Sequence, residues 1–382
     1  MSGNLLEFHH WLLADAGRTG AYRRAVSQIV RKDDVVLDIG AGTGILSFFA
    51  CLAGARKVYA VEASDALQLA RELSGHNGFD GKMDFFQDLS QNIHLPQPVD
   101  VIVSDTGASF GLQGGMLGTL LDARKRFLKS EGKIVPHSLQ LLIAPVELKD
   151  ARNLEVWGKD RYGLDLSSMR RFSANTNYQL RVAPEDLLAS SALLTTIHFD
   201  EVASPYVAGE TLSVAARDGM MHGLAAWIDL ELAPGISFTN SPLEPTVDWT
   251  HSFFPIETPV ALRKGDRVRA KIQTNNGEIW RWRVQIENGN TDGKSPASIK
   301  ARFDHSTLWN FPLDPAQVKK QLPSYTPKLS RKGEAEKYLL SACDGQRSSA
   351  QLAAELMERF ADCFPTKAAA SQFVSRVIGR CT

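Results

Sequence analysis

Hydrophobic and polar positions follow two different patterns along the chain, and the change falls near residue 140. Between residue 34 and about residue 145, short apolar runs alternate with stretches of helical periodicity, which is typical of an α/β fold with a parallel sheet. Strands are predicted at 35–39, 57–61, 83–86, 99–104 and 133–135, with helices over 66–73 and 116–128. Residues 1 to about 30 also have a helical pattern, so the chain should open with helices.

Beyond residue 140 the apolar runs are strand-like and are separated by turn-rich segments. Trp280, Trp282 and Val284 alternate with Arg281 and Arg283, as a half-buried strand requires. This spacing predicts an antiparallel β sandwich or barrel. Its strands are predicted at 139–146, 194–199, 212–215, 223–232, 247–256, 267–272 and 279–286.

A polar, glycine-containing stretch at 288–295 predicts a linker, and the tail after it has helical periodicity. Ser348 and Gln351 form a capping-box sequence before Leu352, Leu356 and Phe360, an apolar stripe at i, i+4 and i+8. Helices near 331–342, 349–361 and 368–378 would make a small domain over 296–382. The stripe is expected to be the core of that domain.

Composition narrows the functional classes. The chain has 382 residues, enough for two or three domains, and its 43 basic and 43 acidic residues cancel. No overall field therefore favours nucleic acid or an anionic membrane. No apolar run approaches a membrane span, and no basic segment precedes an apolar core at the N-terminus. Four scattered cysteines predict free thiols in a reducing cytoplasm and no metal site.

The segment with the strongest chemical signal is the glycine-rich turn after the first strand. Asp38 precedes Gly40-Ala41-Gly42-Thr43-Gly44, and Glu62 ends the second strand. Glycines admit a ligand close to the backbone, a helix start offers free N–H groups, and an acid at the second strand end can bind ribose hydroxyls. The G-x-G-x-G spacing suits S-adenosylmethionine (SAM), which has no pyrophosphate, better than NAD. The alternative is a tight turn without a ligand.

Several further motifs occur in a consistent order. The first helices carry His9-x-x-Leu12-Leu13-x-Asp15-x-x-Arg18, and the second strand ends in Val61-Glu62-Ala63-Ser64. Residues 99–105, with Ser104 near the end, run into a glycine-rich loop. His222 to Trp227 and Pro245-Thr246-Val247-Asp248-Trp249 follow. Together these residues resemble the protein arginine methyltransferases over about His9 to Glu287.

That resemblance implies a SAM-binding Rossmann-like domain at 31–140 behind covering helices at 1–30, then a β barrel at 141–290. An arm near 155–190, including Arg161 to Asp165, would make the protein a homodimer. The implied cofactor is SAM: Arg18 would pair with its methionine carboxylate and Glu62 would hold its ribose. Further implied cofactor-binding residues are His9, Asp38, Gly40, Ala41, Gly42, Ala63, Asp88 and Ser104, although Asp88 could equally be a helix cap.

The acceptor loop departs from the family pattern. The family holds its arginine between two glutamates, whereas here the first position is Asp105 and the second is Gly114. Because a guanidinium stays protonated, losing one carboxylate should cost several kcal/mol of binding. Asp248 replaces the family's histidine and could face Asp15, either sharing a proton or binding a cation; both acids could also point to solvent. Asp105, Asp248 and Asp15 are therefore the candidate catalytic residues.

Three functions remain open on this pattern. The first is a methyltransferase whose acceptor is not ordinary protein arginine, with Asp105 as the leading base; His137 and His251 are the alternatives, each expected to be structural. The second is a true protein arginine methyltransferase with a divergent pocket, and the third is a SAM-binding scaffold. The tail also resembles, faintly, winged-helix chaperones that hold leader peptides, around Asp344-Gly345-Gln346; a helical cap is the other interpretation.

Overall fold

The structure is a computed structural model that describes residues 5–148, 156–157, 162–247, 249–289 and 298–381. The chain divides into two compact units, residues 1–312 and residues 313–382. None of the described helices is long and apolar enough to cross a membrane.

The first unit begins with helices α1 (Leu5–Ala14) and α2 (Ala16–Ile29) and continues into a five-stranded parallel sheet. The strand order is β3-β2-β1-β4-β5, so the central strand carries the glycine-rich turn at its carboxyl end. Every residue of β1 is buried, as expected for a parallel strand covered on both faces. The elements are β1 (Val35–Ile39), α3 (Ile45–Leu52), β2 (Lys57–Val61), α4 (Ala66–His76), β3 (Met83–Phe86), β4 (Val99–Ser104), α5 (Met116–Phe127) and β5 (Leu128–Val135).

Two antiparallel sheets complete this unit. One has the order β7-β12-β10-β6-β8, with β11 paired to β10, and the other has the order β15-β14-β13-β9. Phe254 of the first sheet packs against Trp280 and Trp282 of the second, which closes a shared apolar core. The elements are β6 (Ser138–Val146), α6 (Arg170–Ser173), β7 (Tyr178–Leu180), β8 (Ala192–His198), β9 (Tyr206–Val214), β10 (Gly219–Ala233), β11 (Ile236–Thr239), β12 (His251–Leu262), β13 (Arg267–Asn275), β14 (Ile279–Glu287) and β15 (Ile299–Ser306).

Strand β15 differs from the expectation that the chain turns helical after the linker. It pairs antiparallel with β14, Arg283 lying opposite Asp304 and Val284 opposite Phe303. Inward and outward residues alternate along β15, but Phe303 is its one large inward apolar side chain, and charged residues make up much of the rest of the strand. The periodicity of this segment was therefore too weak to indicate a strand.

The second unit consists of helices α7 (Pro315–Lys320), α8 (Arg331–Ala342), α9 (Ser349–Arg359) and α10 (Lys367–Cys381). Ser348 and Gln351 form the predicted capping box, and Leu352, Leu356 and Phe360 are buried in this unit's own core. Residues 313–381 contain no strand, so the wing of a winged helix is absent from this part of the chain.

Candidate functional site

Glu62 at the end of β2 holds the glycine-rich turn in place. Its carboxylate accepts hydrogen bonds from the Gly42 backbone N–H (3.1 Å) and the Ser64 N–H (2.8 Å). Gly40, Gly42 and Gly44 have φ values of 74°, 54° and 85°, a region that side-chain-bearing residues rarely adopt. A Cβ at Gly40 would collide with Thr106, and one at Gly42 with the His9 imidazole. The turn therefore needs glycine for both conformation and space.

Helices α1 and α2 place His9 and Arg18 beside this turn. Asp15 lies between the helices and caps α2 by accepting from the Arg18 backbone N–H (3.0 Å). The His9 ring lies against Gly42, and burial lowers its pKa despite the opposing charge of Glu62. The N-terminal segment thus forms two helices, and His9 of the first lies against the glycine-rich turn.

Arg18 is 3% exposed and is the centre of a polar cluster. One terminal nitrogen donates to Asp105, and the other donates to the Leu12 carbonyl (3.1 Å) and Thr19 (3.3 Å). The Tyr22 hydroxyl lies 3.0 Å from the second Asp105 oxygen. Asp105 is thus held by Arg18 through one oxygen, while its second oxygen competes with the Ser104 carbonyl (3.0 Å) for the single Tyr22 proton.

Asp38 lies in the floor of the turn and is fully buried. Ser47 Oγ donates to one of its oxygens (2.6 Å), while the other oxygen has no partner among the described residues. Burial raises the pKa of Asp38 to about 7, partly offset by the Ser47 hydrogen bond. Asp38 therefore connects the strand to the start of α3 rather than offering an exposed charge.

The acceptor loop between β4 and α5 is built from two short 3₁₀ turns at Ala108–Phe110 and Gln113–Gly115. Gly111, Gly114 and Gly115 have φ values of 71°, 71° and 74°. A Cβ at Gly114 would meet only the Thr106 carbonyl, at 3.8 Å. The backbone here is thus glycine-specific, yet there is open space beside Gly114.

The same loop is fastened to the antiparallel sheets by a residue that sequence reasoning missed. Asn240 is fully buried, and its amide donates to the carbonyls of Ser109 (3.0 Å) and Thr250 (2.8 Å). The Ser109 hydroxyl also contacts the Thr250 hydroxyl at 3.1 Å. Asn240 stands in an ordinary turn sequence, and its partner Ser109 is 131 residues away, so no local signal indicates this role.

His251 belongs to this network. Its Nδ1 accepts from the Val182 N–H (3.0 Å), which leaves Nε2 to donate to the Asn240 carbonyl (2.8 Å). Burial lowers its pKa. With both nitrogens committed, His251 has the structural role expected for it, and His137 packs edge-on against His198.

The buried guanidinium of Arg18 has a donor without a partner in the described part of the chain, which bears on whether this site suits SAM. Arg18 Nε is buried without a partner among the described residues, and a second hydrogen remains on the nitrogen that contacts Asp105. A carboxylate accepting from this edge of the guanidinium would satisfy the orphaned donor in a charge-assisted pair. Together with the glycine turn and Glu62, the residues present fit a ligand with a carboxylate and a ribose.

Comparisons with known proteins match the parallel-sheet part and the antiparallel-sheet part of this unit to two different methyltransferase family models. Residues 137–289 match the model for the arginine methyltransferase oligomerization subdomain, and residues 21–136 match the model for ribosomal protein L11 methyltransferase. Human protein arginine N-methyltransferase 2 is 30% identical over 326 residues, covering 80% of this chain and 75% of that protein. The chain belongs to the protein arginine methyltransferase family.

Other members of the protein arginine methyltransferase family agree with this assignment. Probable protein arginine N-methyltransferase 1.2 of Arabidopsis thaliana is 32% identical and covers 69% of this chain and 75% of its own. The Trypanosoma brucei PRMT1 enzyme-prozyme complex with AdoHcy has a TM-score of 0.68 at 26% identity, covering 78% of this chain and 97% of that one. Arabidopsis thaliana protein arginine methyltransferase 10 shares the fold, with a TM-score of 0.68 at 22% identity. The predicted family and α/β fold class are confirmed.

The structure brings together some of the predicted site residues of this methyltransferase and leaves others apart. Ser104 is buried and donates to the Ile39 carbonyl (3.0 Å), next to the turn. Asp88 is exposed and accepts from Leu89 N–H (2.7 Å) and Asn92 (2.8 Å), which lowers its pKa. Ala63 is exposed. Asp248 and Arg161 lie outside the described residues, so the expected meeting of Asp248 with Asp15 stays a prediction.

Proposed function

We propose that this member of the family transfers a methyl group from SAM to an acceptor other than an ordinary protein arginine side chain. Methyltransferase activity and the SAM cofactor follow from the family; the changed acceptor is the proposal. One observation carries it: Asp105 is buried in an ion pair with Arg18, and Gly114 supplies no second carboxylate. A guanidinium entering this loop would lack the two free carboxylates that a buried cation needs.

When bound, SAM supplies an electrophilic methyl group that needs little acid–base help if the acceptor is neutral. Arg18 would hold its carboxylate, Glu62 its ribose, and the backbone of Gly40, Ala41 and Gly42 would lie against it. Positioning of the acceptor then provides most of the rate. For a hydroxyl or imidazole acceptor, Asp105 is the proposed base. Asp15 and Asp248 remain proposed catalytic residues, as two acids that would face each other and share a proton or bind a cationic acceptor group.

The test restores the family's two glutamates and asks whether arginine becomes an acceptor. Asp105→Glu with Gly114→Glu should gain methyl transfer to a glycine-flanked arginine peptide, whereas the wild-type protein should show none. Asp105→Glu with Gly114→Gln is the matched control, because it adds the same bulk at positive φ without the charge. A Cβ at Gly114 meets only the Thr106 carbonyl at 3.8 Å, and the backbone strain of a side chain at φ 71° is common to both variants.

A genuine arginine acceptor is the second candidate, since the relatives named above are protein arginine N-methyltransferases. It predicts arginine methylation by the unmodified chain, and that result would reject the changed-acceptor proposal. A non-catalytic SAM-binding scaffold is the third candidate, and it predicts SAM binding without transfer of label to any acceptor.

We propose a homodimer as the assembly. The match of residues 137–289 to the oligomerization subdomain supports it, as do Tyr162 and Leu164 in the predicted arm, which are 89% and 59% exposed. Light scattering at micromolar concentration should give twice the chain mass, and Leu164→Asp should shift it toward the monomer. A wild-type monomer would contradict this proposal.

We also propose that the domains follow the boundaries given by the sequence, with the C-terminal domain beginning at 313 instead of 296. Because β15 pairs with β14, a deletion from 296 would remove a strand of the sheet. A chain ending at Pro312 should stay folded and bind SAM as tightly as the full chain. Loss of solubility on that truncation would contradict the boundary and favour a structural cap.

A further inference from the structure

The outward face of the four-stranded sheet β15-β14-β13-β9 carries a concentrated positive charge. Along β13 and β14, inward residues are buried and the alternate residues face solvent. Six cations against three carboxylates leave an excess of three positive charges on this face, in a chain whose net charge is zero. The cations are Arg267, Arg269, Lys271, Arg281, Arg283 and Arg302, and the carboxylates are Glu210, Glu287 and Asp304.

The ion pairs within this face leave part of the charge uncompensated. Asp304 accepts from both Arg281 (2.7 Å) and Arg283 (3.0 Å), and Glu210 pairs with Arg269 (3.1 Å). Neither Arg267 nor Lys271 has an ion pair within the described part of the chain. One acid is thus shared between two arginines, and three further cations have no ion pair among the described residues, Arg302 donating to the Gln285 side chain instead.

Lys271 lies directly opposite Arg283 across the β13–β14 pair. On its other side Lys271 lies directly opposite Glu210 of β9, so one of its cross-strand neighbours is favourable and the other, Arg283, is unfavourable. A binding partner that is negatively charged would turn the pair of Lys271 and Arg283 into a favourable feature.

Aliphatic side chains border the cations on the same face. Leu212, Val214, Ile279 and Ile299 are 40%, 55%, 38% and 47% exposed. Two aromatic side chains lie at the edges of the cationic band, Trp309 against Arg281 and Tyr206 opposite Asn275. Single-stranded nucleic acid is typically bound by aromatic stacking within a basic groove, whereas the border here is mainly aliphatic. Glu210 and Asp304 among the cations would also repel a continuous polyanion.

We infer that this basic face binds an acidic segment of a partner protein that also carries aliphatic side chains. Cations at alternate positions of one strand recur about every 6.8 Å, the spacing of alternate side chains in an extended peptide. Such a segment can place acids over Lys271 and Arg283 and aliphatic residues over Leu212 or Ile279. The inference concerns a surface outside the candidate methyl-transfer site and does not depend on which acceptor is used there.

Fluorescence anisotropy with the full chain tests this binding. The probe is a fluorescein-labelled twelve-residue peptide of glutamate, leucine and glycine, with a peptide containing glutamine for glutamate as control. The acidic peptide should bind, its dissociation constant should rise with salt, and Lys271→Glu should weaken binding at least tenfold. Lys125→Glu, which changes an exposed lysine on α5, should leave binding unchanged.

Thermal denaturation of the same variants separates binding from folding. Lys271→Glu reverses both cross-strand pairs at this position, making the one with Arg283 favourable and the one with Glu210 unfavourable, so its melting temperature should stay close to that of the wild type. Failure of the acidic peptide to bind, or equal binding by Lys271→Glu, would overturn the inference. Tighter binding of a twelve-nucleotide oligothymidylate in competition would overturn it in favour of nucleic acid.

Discussion

Replacing Arg18 with methionine should separate the stability of the site from its affinity for SAM. The substitution keeps an unbranched side chain but leaves the Asp105 carboxylate, 9% exposed, with Tyr22 as its remaining partner. Removing one partner of a buried ion pair costs about 3–5 kcal/mol. The variant should therefore lose unfolding free energy of that order, measured by urea denaturation.

Adding Asp105→Asn to Arg18→Met should recover much of this stability, because no charge is then left buried. SAM affinity should behave differently. A hydrogen bond to a charged group contributes about 1.5–3 kcal/mol, so both the single and the double variant should bind SAM about ten- to a hundredfold more weakly by calorimetry. Recovery of SAM affinity in the double variant would refute the assignment of Arg18 to the cofactor carboxylate.

Three further results are expected. Burial raises the pKa of Asp38 to about 7, so the wild type loses stability as pH rises from about 4 through 7. Asp38→Asn should raise the melting temperature at pH 8 and have little effect at pH 4. The upper limit of the gain in unfolding free energy is ~4 kcal/mol, from ~1.4 kcal/mol per pKa unit. Burial lowers the pKa of His305 to about 4, so stability should fall as pH drops from 6.5 to 4. His305→Phe should reduce this loss of stability. An unchanged loss between pH 6.5 and 4 in the variant would contradict the role of His305. Ser348→Ala removes the capping box and should cost about 1 kcal/mol in the C-terminal unit, whereas Ser349→Ala, one residue further on, should be nearly neutral by the same urea titration.

The parallel-sheet half of the fold could be predicted because its signals are local. Its main motif lies within 30 residues: a buried strand, a glycine-rich turn and an acid at the end of the next strand. The geometry of the turn restricts which residue types can stand at each of these positions. The same holds for the capping box and apolar stripe of α9. Strand β15 lacked such a signal, since its partner strand rather than its own apolar content keeps it in the sheet.

The candidate site was predictable in its residues but not in its contacts. Arg18 and Asp105 were each singled out, yet nothing in the sequence pairs residues 87 positions apart. The Asn240 network was missed for the same reason, because its value depends on carbonyls of Ser109 and Thr250 that only the fold brings together. The spacing of motifs along the sequence does not indicate which distant residues will form contacts in the fold.

The measurement that tests the central claim most directly is a methyl-transfer assay on natural acceptors. Purified protein is incubated with methyl-labelled SAM and an extract of its own source, with Glu62→Ala as control, and products are divided into protein and small-molecule fractions. The account predicts Glu62-dependent label on something other than protein arginine. Glu62-dependent label on protein arginine would contradict it, and no label from a protein that still binds SAM would favour a scaffold.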